Sequence, residues 1–300
     1  QQSYRAGRRI RIDVPQTIQI TPDKIARIRA VPHFARHGYR DLDIARTLEF
    51  YKKRYVDQLA KVRAVDASTV IADIGTGYGW LAMTLALLTP AKVIAIEMDA
   101  ERLASGREIA SILGVADRIA WRAEPLGGIG LSDRSIDIVY CIEVLEHVRA
   151  SRAALADLAR LSRDVLIVTT PNKWFPVIAH DTRLPFCHML PLPARQVYAR
   201  AMKRTDCEND NIFLSPLMLR RALADYRPVS GFLHYANLDD YLATYPFYLP
   251  YLGAGGGEQR SVGRAKLAWY RLAARLGRNS AFVMPNLAGV YRLKARSRAA

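Results

Sequence analysis

Two short stretches carry residues that could do chemistry. In VIADIGTGYGW, residues 70–80, a strand-like apolar run meets Asp73 and then Gly75, Gly77 and Gly79, spaced two apart. Glycines in such a turn let the backbone fold tightly and bring a ligand close, because a Cβ would collide with it. In EVLEH, residues 143–147, Glu143, Glu146 and His147 fall within a single helical turn if the segment is helical. Residues three and four apart on a helix share a face. Two carboxylates and an imidazole so placed could hold a divalent cation such as Mg2+, or His147 could take up a proton near neutral pH. His180 and Asp181 form a reserve pair for acid–base chemistry or substrate contact.

The glycine spacing sorts the ligand classes. A dinucleotide fingerprint needs GxGxxG, and here Trp80 stands at the third glycine position. A P-loop needs a closing Gly-Lys-Ser/Thr, which is absent. Neither phosphate cradle fits.

Periodicity gives the elements that must position these residues. Residues 1–66 show helical spacing, with Leu42, Ala45, Leu48, Tyr51/Lys52, Tyr55 and Leu59 recurring at three and four, and predict an N-terminal helical extension. Over 67–172, strand-like runs (TVIADI, KVIAIE, RIAWRA, IDIVYCIE, DVLIVTT) alternate with helical ones, which predicts a parallel sheet covered by helices on both faces. Residues 173–212 are proline-dense and aromatic, an insertion on the substrate side. Residues 213–237 predict a core helix, capped by Ser215 with Pro216 at its first position, and a strand around 229–236. A second insertion, 238–280, is rich in tyrosine and ends in a basic amphipathic helix; 281–300 supply a last strand and a basic tail.

In order, the strand–DIGTGYG–helix unit, the strand ending at Glu97 and DIVYCIEVLEHV at 137–148 make the chain resemble the class I S-adenosylmethionine (SAM)-dependent methyltransferases, in particular their ubiquinone-biosynthesis group, over residues 68–172 and the last strands. The resemblance implies an α/β, three-layer, Rossmann-like fold. Its seven-stranded, mostly parallel sheet carries an N-terminal helical segment and two insertions, after strands five and six. It implies SAM as cofactor, with Asp73, Gly75, Thr76, Gly77 and Gly79 at its methionine end. Glu97 falls on the ribose hydroxyls, Met98 on the adenine, Ala123 and Glu124 at the adenine edge, and Ile142 beside the reacting methyl. One motif departs from the family: where GDAE is usual the chain reads WRAE, and Arg122 cannot accept a hydrogen bond. ExxEH occurs in ubiquinone-biosynthesis O-methyltransferases and small-RNA 3′-end 2′-O-methyltransferases, where it goes with a bound divalent ion, so the resemblance offers Glu143, Glu146 and His147 as a cation set, although EVLEHV is also common in relatives without a metal. Methyl transfer otherwise needs alignment and a place for the departing proton. His147, Glu143 and His180 are the candidates. The acceptor pocket should come from the insertions, with Trp174, Asp181, Arg183 and Tyr245 as contacts.

The bulk properties bound the partners. Among 300 residues, 44 basic and 28 acidic side chains leave a net charge of +16, which favours nucleic acid, an acidic lipid surface or a phosphorylated substrate, or is simply a solvated basic surface. No apolar run reaches the roughly 20 residues that span a bilayer, and the N-terminus has no apolar segment after its arginines, so it does not read as a secretory signal. Cys141, Cys187 and Cys207 show no CxxC spacing and fit a reducing, cytoplasmic location. In RAKLAWYRLAARLGR, Arg264, Arg271, Arg275 and Arg278 form one stripe and Trp269, Leu272, Ala273 and Leu276 another. Such a helix either lies on an anionic membrane or packs its apolar stripe inward and leaves the arginines in water; the second is the expectation. The leading function is methyl transfer to a small or lipid-like acceptor, at oxygen. An RNA 2′-O-methyltransferase ranks below it, since no ordered alternation of basic and aromatic residues marks an RNA surface. A catalytically silent scaffold, supported by Arg122, is the third reading.

Overall fold

The β-rich runs become seven strands: β1 (Val70–Ile74), β2 (Lys92–Glu97), β3 (Ile119–Ala123), β4 (Ile136–Ile142), β5 (Ser162–Pro171), β6 (Tyr226–Pro228) and β7 (Asn286–Leu293). The computed structural model, which describes residues 18–39, 42–178, 182–204, 211–247 and 261–295, joins them into one sheet of order β3-β2-β1-β4-β5-β7-β6. Strands β1 to β5 are parallel, and β7 runs antiparallel to both β5 and β6. The order reverses between β1 and β4. In open α/β sheets that reversal leaves a crevice beyond the strands' carboxyl ends, where ligands bind.

The helices are α1 (Pro22–Arg29), α2 (Pro32–Phe34), α3 (Ile44–Tyr51), α4 (Asp57–Val62), α5 (Trp80–Leu88), α6 (Ala100–Leu113), α7 (Ser151–Leu161), α8 (Leu192–Ala201), α9 (Pro216–Ala222), α10 (Leu238–Thr244) and α11 (Arg264–Ala274). A π-turn, Lys52–Val56, links α3 to α4, and another, Ala35–Tyr39, continues α2. Helix α5 is apolar almost all round and correspondingly buried. Helix α6 starts where Asp99 caps it, its carboxylate accepting the Arg102 amide. Helix α9 starts as its sequence predicts, with the Ser215 hydroxyl accepting the Met218 amide and Pro216 in the first turn.

Alternation along the strands separates two cores. Ile71, Ile138, Tyr140, Val165 and Ile167 pack with α3, α5, α6 and the N-terminal helices. Ala72, Ile74, Val139, Cys141, Leu166 and Val168 pack with α7 and α9 on the other face. A third cluster, around Phe232, Tyr235, Tyr270 and Met284, holds the second insertion down.

Two expectations are corrected. The strand expected around 229–236 is instead the short β6, which ends at Pro228, a residue that lacks the N–H a ladder needs. The chain then turns back through a bridge between Phe232 and Tyr235. In α11 the inward face is Tyr270 and Ala273, while Trp269 and Leu272, and Leu276 just past the helix end, are 41%, 54% and 45% exposed. The reason is aromatic: the Tyr270 ring lies 5.2 Å from Tyr241 and 6.3 Å from Phe232, and that contact fixes the helix's rotation.

Candidate active site

The turn after β1 is set by backbone angles and by packing. Gly75, Gly77 and Gly79 have φ of +71°, +59° and +84°, where a side chain is strained. A Cβ on Gly75 would lie 2.3 Å from Val144, and one on Gly79 2.8 Å from the Trp121 ring, so the protein's own packing demands those two glycines. Gly77 faces open space, its nearest neighbour being Arg102 at 3.9 Å. All three positions favour glycine by their φ, and of the three Gly77 alone leaves room for a ligand.

Two carboxylates organise the turn. The Thr76 hydroxyl donates to Asp73 Oδ2 at 2.5 Å, while the Gly75 and Thr76 amides donate to the Ile96 carbonyl at 2.8 and 3.0 Å. Asp73 is buried, and desolvation pushes its carboxyl up to about 6; the Glu97 charge adds to the rise, and bonds from Thr76 and the Ala82 amide oppose it. Glu97 bridges the tips of β1 and β2: Oε2 accepts the Gly77 amide at 2.9 Å and Oε1 the Asp99 amide at 3.1 Å. Each oxygen keeps a further acceptor position, which suits a pair of adjacent hydroxyls such as those of a ribose. Met98, next along, is 73% exposed and offers an apolar face for a flat ring. Ala123 closes β3 in register with Glu97. Glu124 accepts from Arg122 Nε at 2.7 Å and from the Gly130 amide at 2.8 Å, so it supplies the counter-charge that lets an arginine stand in this motif. The cradle fits the nucleoside of SAM.

At the end of β4, Cys141 is buried and its thiol pushed far up, by burial first and then by Glu146, Asp73 and Glu143, which leaves it inert. Ile142 is half-buried beside it. Glu143 has a φ of +54°, a sparse conformation for anything but glycine. Its amide donates to the Thr169 carbonyl at 2.8 Å, and Oε1 accepts from Asn286 Nδ2 at 3.2 Å. The carboxylate thus stands where the tips of β4, β5 and β7 meet.

EVLEH is not an α-helix. Leu145–His147 make a 3-10 turn, in which Glu146 is wholly buried and accepts from the Thr170 hydroxyl at 2.9 Å. His147 is exposed, its Nδ1 3.1 Å from Asn211 Oδ1. Among the described residues no three His, Cys, Asp or Glu side chains converge on a metal position. The expected divalent-cation set of Glu143, Glu146 and His147 is therefore corrected: the left-handed Glu143 ends the strand and prevents the helix on which the three would share a face.

His180 and Asp181 lie outside the described residues. Trp174 is 45% exposed, 6.0 Å from the Phe282 ring. Arg183 is exposed, at a φ of +59°. Tyr245, in a separate element, accepts from Lys266 Nζ at 2.9 Å.

Several residues had no voice in the sequence reading. Asn172 is fully buried after β5; its Nδ2 donates to the carbonyls of Ala281 and Met284 at 3.0 and 2.9 Å, pinning the tip of β5 to the approach to β7. A polar residue directly after the strand-ending Pro171 was the available signal. Tyr78, between two of the glycines, has its hydroxyl 3.1 Å from His33 Nδ1 and its ring 5.1 and 5.3 Å from those of Phe34 and Tyr39. The N-terminal segment is thereby strapped onto the turn. His234 is buried against Tyr55 and Tyr235, at 5.2 and 4.2 Å, and burial, with Arg54, holds its pKa well below the ordinary range.

Comparisons with known proteins bear on this arrangement. Residues 71–164 match a family described as a methyltransferase domain. The 27-O-demethylrifamycin SV methyltransferase of Amycolatopsis mediterranei is 28% identical over 143 residues, covering 45% of this chain and 52% of that protein, so the match spans about half the relative's length. A candidate sarcosine dimethylglycine methyltransferase from Galdieria sulphuraria has a solved structure with a TM-score of 0.50 at 15% identity, covering 82% of this chain and 85% of that one. That likeness shows a shared fold. The geranyl diphosphate C-methyltransferase of Streptomyces coelicolor A3(2), solved with Mg2+, geranyl diphosphate and S-adenosylhomocysteine, gives a TM-score of 0.49 at 13% identity over 89% of this chain and 86% of that one.

Proposed function

Because residues 71–164 form a class I SAM-dependent methyltransferase domain, we propose that the chain transfers the methyl group of SAM to the oxygen of a small or lipid-like acceptor. The observation that carries the cofactor reading is Glu97, a buried carboxylate held by two backbone amides beside the open face of Gly77. SAM, when bound, supplies an electrophilic methyl group. The chain's own residues supply the rest. Glu97 holds the ribose hydroxyls, Met98 covers the adenine, and Asp73 with Thr76 faces the charged methionine end. Glu143, aimed by Asn286 from the meeting point of three strands, is placed to take the proton of an acceptor hydroxyl. Its left-handed backbone is strain of a kind that persists where a site needs it. Oxygen as the accepting atom draws on the name of the Amycolatopsis relative, and the apolar character of the acceptor on the aromatic insertions.

No helix among the described residues is long and apolar enough to cross a membrane. A cytoplasmic location with peripheral contact to an anionic membrane through α11 belongs to the same reading, since its arginine stripe stands beside exposed Trp269, Leu272 and Leu276.

The test is incubation with methyl-labelled SAM and a fractionated lysate divided into lipid, RNA and small polar pools. Label is expected in the lipid or small-molecule pool; label in RNA would favour the 2′-O reading, and failure to bind SAM at all would favour a silent scaffold. With the best acceptor, Glu143→Gln should lower turnover about 100-fold or more while SAM affinity, measured calorimetrically, stays within about twofold. Unchanged turnover removes Glu143 from the chemistry.

A further inference from the structure

A cavity of about 410 Å³ lies at the far edge of the sheet, between α9, β6, β7 and the 3-10 turn Gly277–Phe282. Strand β6 stands four positions from β1, about 19 Å at ordinary strand spacing, so the outer wall of this cavity is separate from the crevice at the glycine turn, while its inner wall neighbours the methyl-transfer side, with Phe282 6.0 Å from Trp174 and Leu287 next to Asn286. Its volume falls within the range of small-molecule sites, about 300–1,000 Å³.

The lining is of two kinds. Leu219, Leu223, Leu287 and the rings of Tyr226 and Phe282 make it apolar. The Tyr226 hydroxyl is turned away, accepting from Arg134 Nη1 and sharing its one proton between the carbonyls of Ala159 and Ser162, each at 2.8 Å, so that residue presents its ring. Arg220, Arg227, Arg278 and Lys294 also line the cavity, and no carboxylate does. Arg220 is held ready: Nη2 donates to Asn279 Oδ1 at 2.9 Å, and the guanidinium lies 5.2 Å over the Phe282 ring. Among the described residues none of the three arginines is ion-paired. All four cations are exposed around the mouth, where their summed charge raises the local concentration of anions.

Tyr291 adds a neutral donor. It shares a face of β7 with Leu287 and Gly289, and a Cβ on Gly289 would lie 2.9 Å from the Tyr291 ring. The absence of a side chain there lets the ring lie along the strand, with the residue contributing to the cavity wall. Burial pushes the phenol up to about 12, so it remains protonated through the physiological range.

We propose that this cavity binds an amphipathic anion, a single acidic head on an apolar chain, at a site distinct from methyl transfer. The apolar walls take the chain, and Arg220 and Arg278 take the head in charge-assisted hydrogen bonds. Carboxylate and phosphate heads share this chemistry. Dodecanoate and dodecyl phosphate, each below its micelle threshold, separate the two when titrated calorimetrically into the full chain. At least one should bind at a single site, with dodecanol about tenfold weaker or worse and dodecyltrimethylammonium silent; the tighter head identifies the source. Arg220→Ala with Arg278→Ala should cost about tenfold or more, and Tyr291→Phe about threefold, with SAM affinity unmoved. Should the double variant fail to fold, a diazirine-bearing dodecanoate on the native chain provides the second measurement, with label expected within residues 216–228 and 278–294. Equal affinity for the alcohol, binding retained in the folded double variant, competition by SAM, or label outside those segments overturns the proposal.

Discussion

At the scale of single residues, Asp73 is where folding and function pull apart. Its folded pKa of about 6 lies above the unfolded 3.8, chiefly through desolvation. A group raised in this way contributes stability that is fully present below pH 3.8 and is lost as pH rises through 6. The difference, about two pH units, corresponds to about 3 kcal/mol. Asp73→Asn should therefore raise the urea midpoint of the free protein at pH 8, by an amount that shrinks toward pH 4. The same change should weaken SAM binding at pH 8 by about tenfold or more, because a nearby carboxylate favours a cation, and native affinity should fall as pH drops through 6. A variant that destabilises the chain and leaves SAM affinity untouched contradicts the assignment. Asp73, the glycines and Glu97 were legible in sequence because their constraint is local: a strand end, a turn with positive φ, an acid at the next strand's tip. Glu146 and His147 were misplaced because Glu143 adopts a left-handed angle that no residue type announces. Once the strand ends that way, one neighbour is driven inward to Thr170 and the other out to Asn211.

At the scale of elements, the N-terminal helices do more than extend the domain. Strand and helix alternation in the core could be read from period alone, because each element's burial is written in its own spacing. The contact between residues 33–39 and Tyr78 could not, since it joins segments 39 to 45 positions apart through rings that read, locally, as filler. That contact sits directly on the cofactor turn. Tyr78→Phe removes only the hydroxyl that meets His33 and should cost about 1 kcal/mol. Phe34→Ala deletes a fully buried ring and should cost about 3–5 kcal/mol. If the strap fixes the turn, hydrogen exchange of amides 75–80 should quicken and SAM affinity fall in that order of severity. Destabilisation spread evenly over the sheet, with the turn no faster than its surroundings, would mean that the strap only adds core.

At the scale of the whole molecule, the +16 charge has two readings that α11 separates. Charge alone attracts any polyanion, and the attraction between exposed groups fades as salt shortens the screening length to a few ångströms. An RNA surface would rely on those cations and on rings that stack. A membrane surface needs apolar side chains that reach past the headgroups, beside the cations rather than among them. Helix α11 has that profile, because Tyr270 claimed the inward face and left Trp269, Leu272 and Leu276 outward next to the arginine stripe. Each half-exposed apolar side chain has about 1 kcal/mol still to gain from burial. Trp269→Ser with Leu272→Ser should therefore reduce sedimentation with phosphatidylglycerol vesicles about tenfold or more, while leaving association with a random RNA unchanged. Arg271→Gln with Arg275→Gln should weaken both. If the serine variant binds anionic vesicles as the native chain does, the exposed stripe contributes nothing there and the charge acts alone.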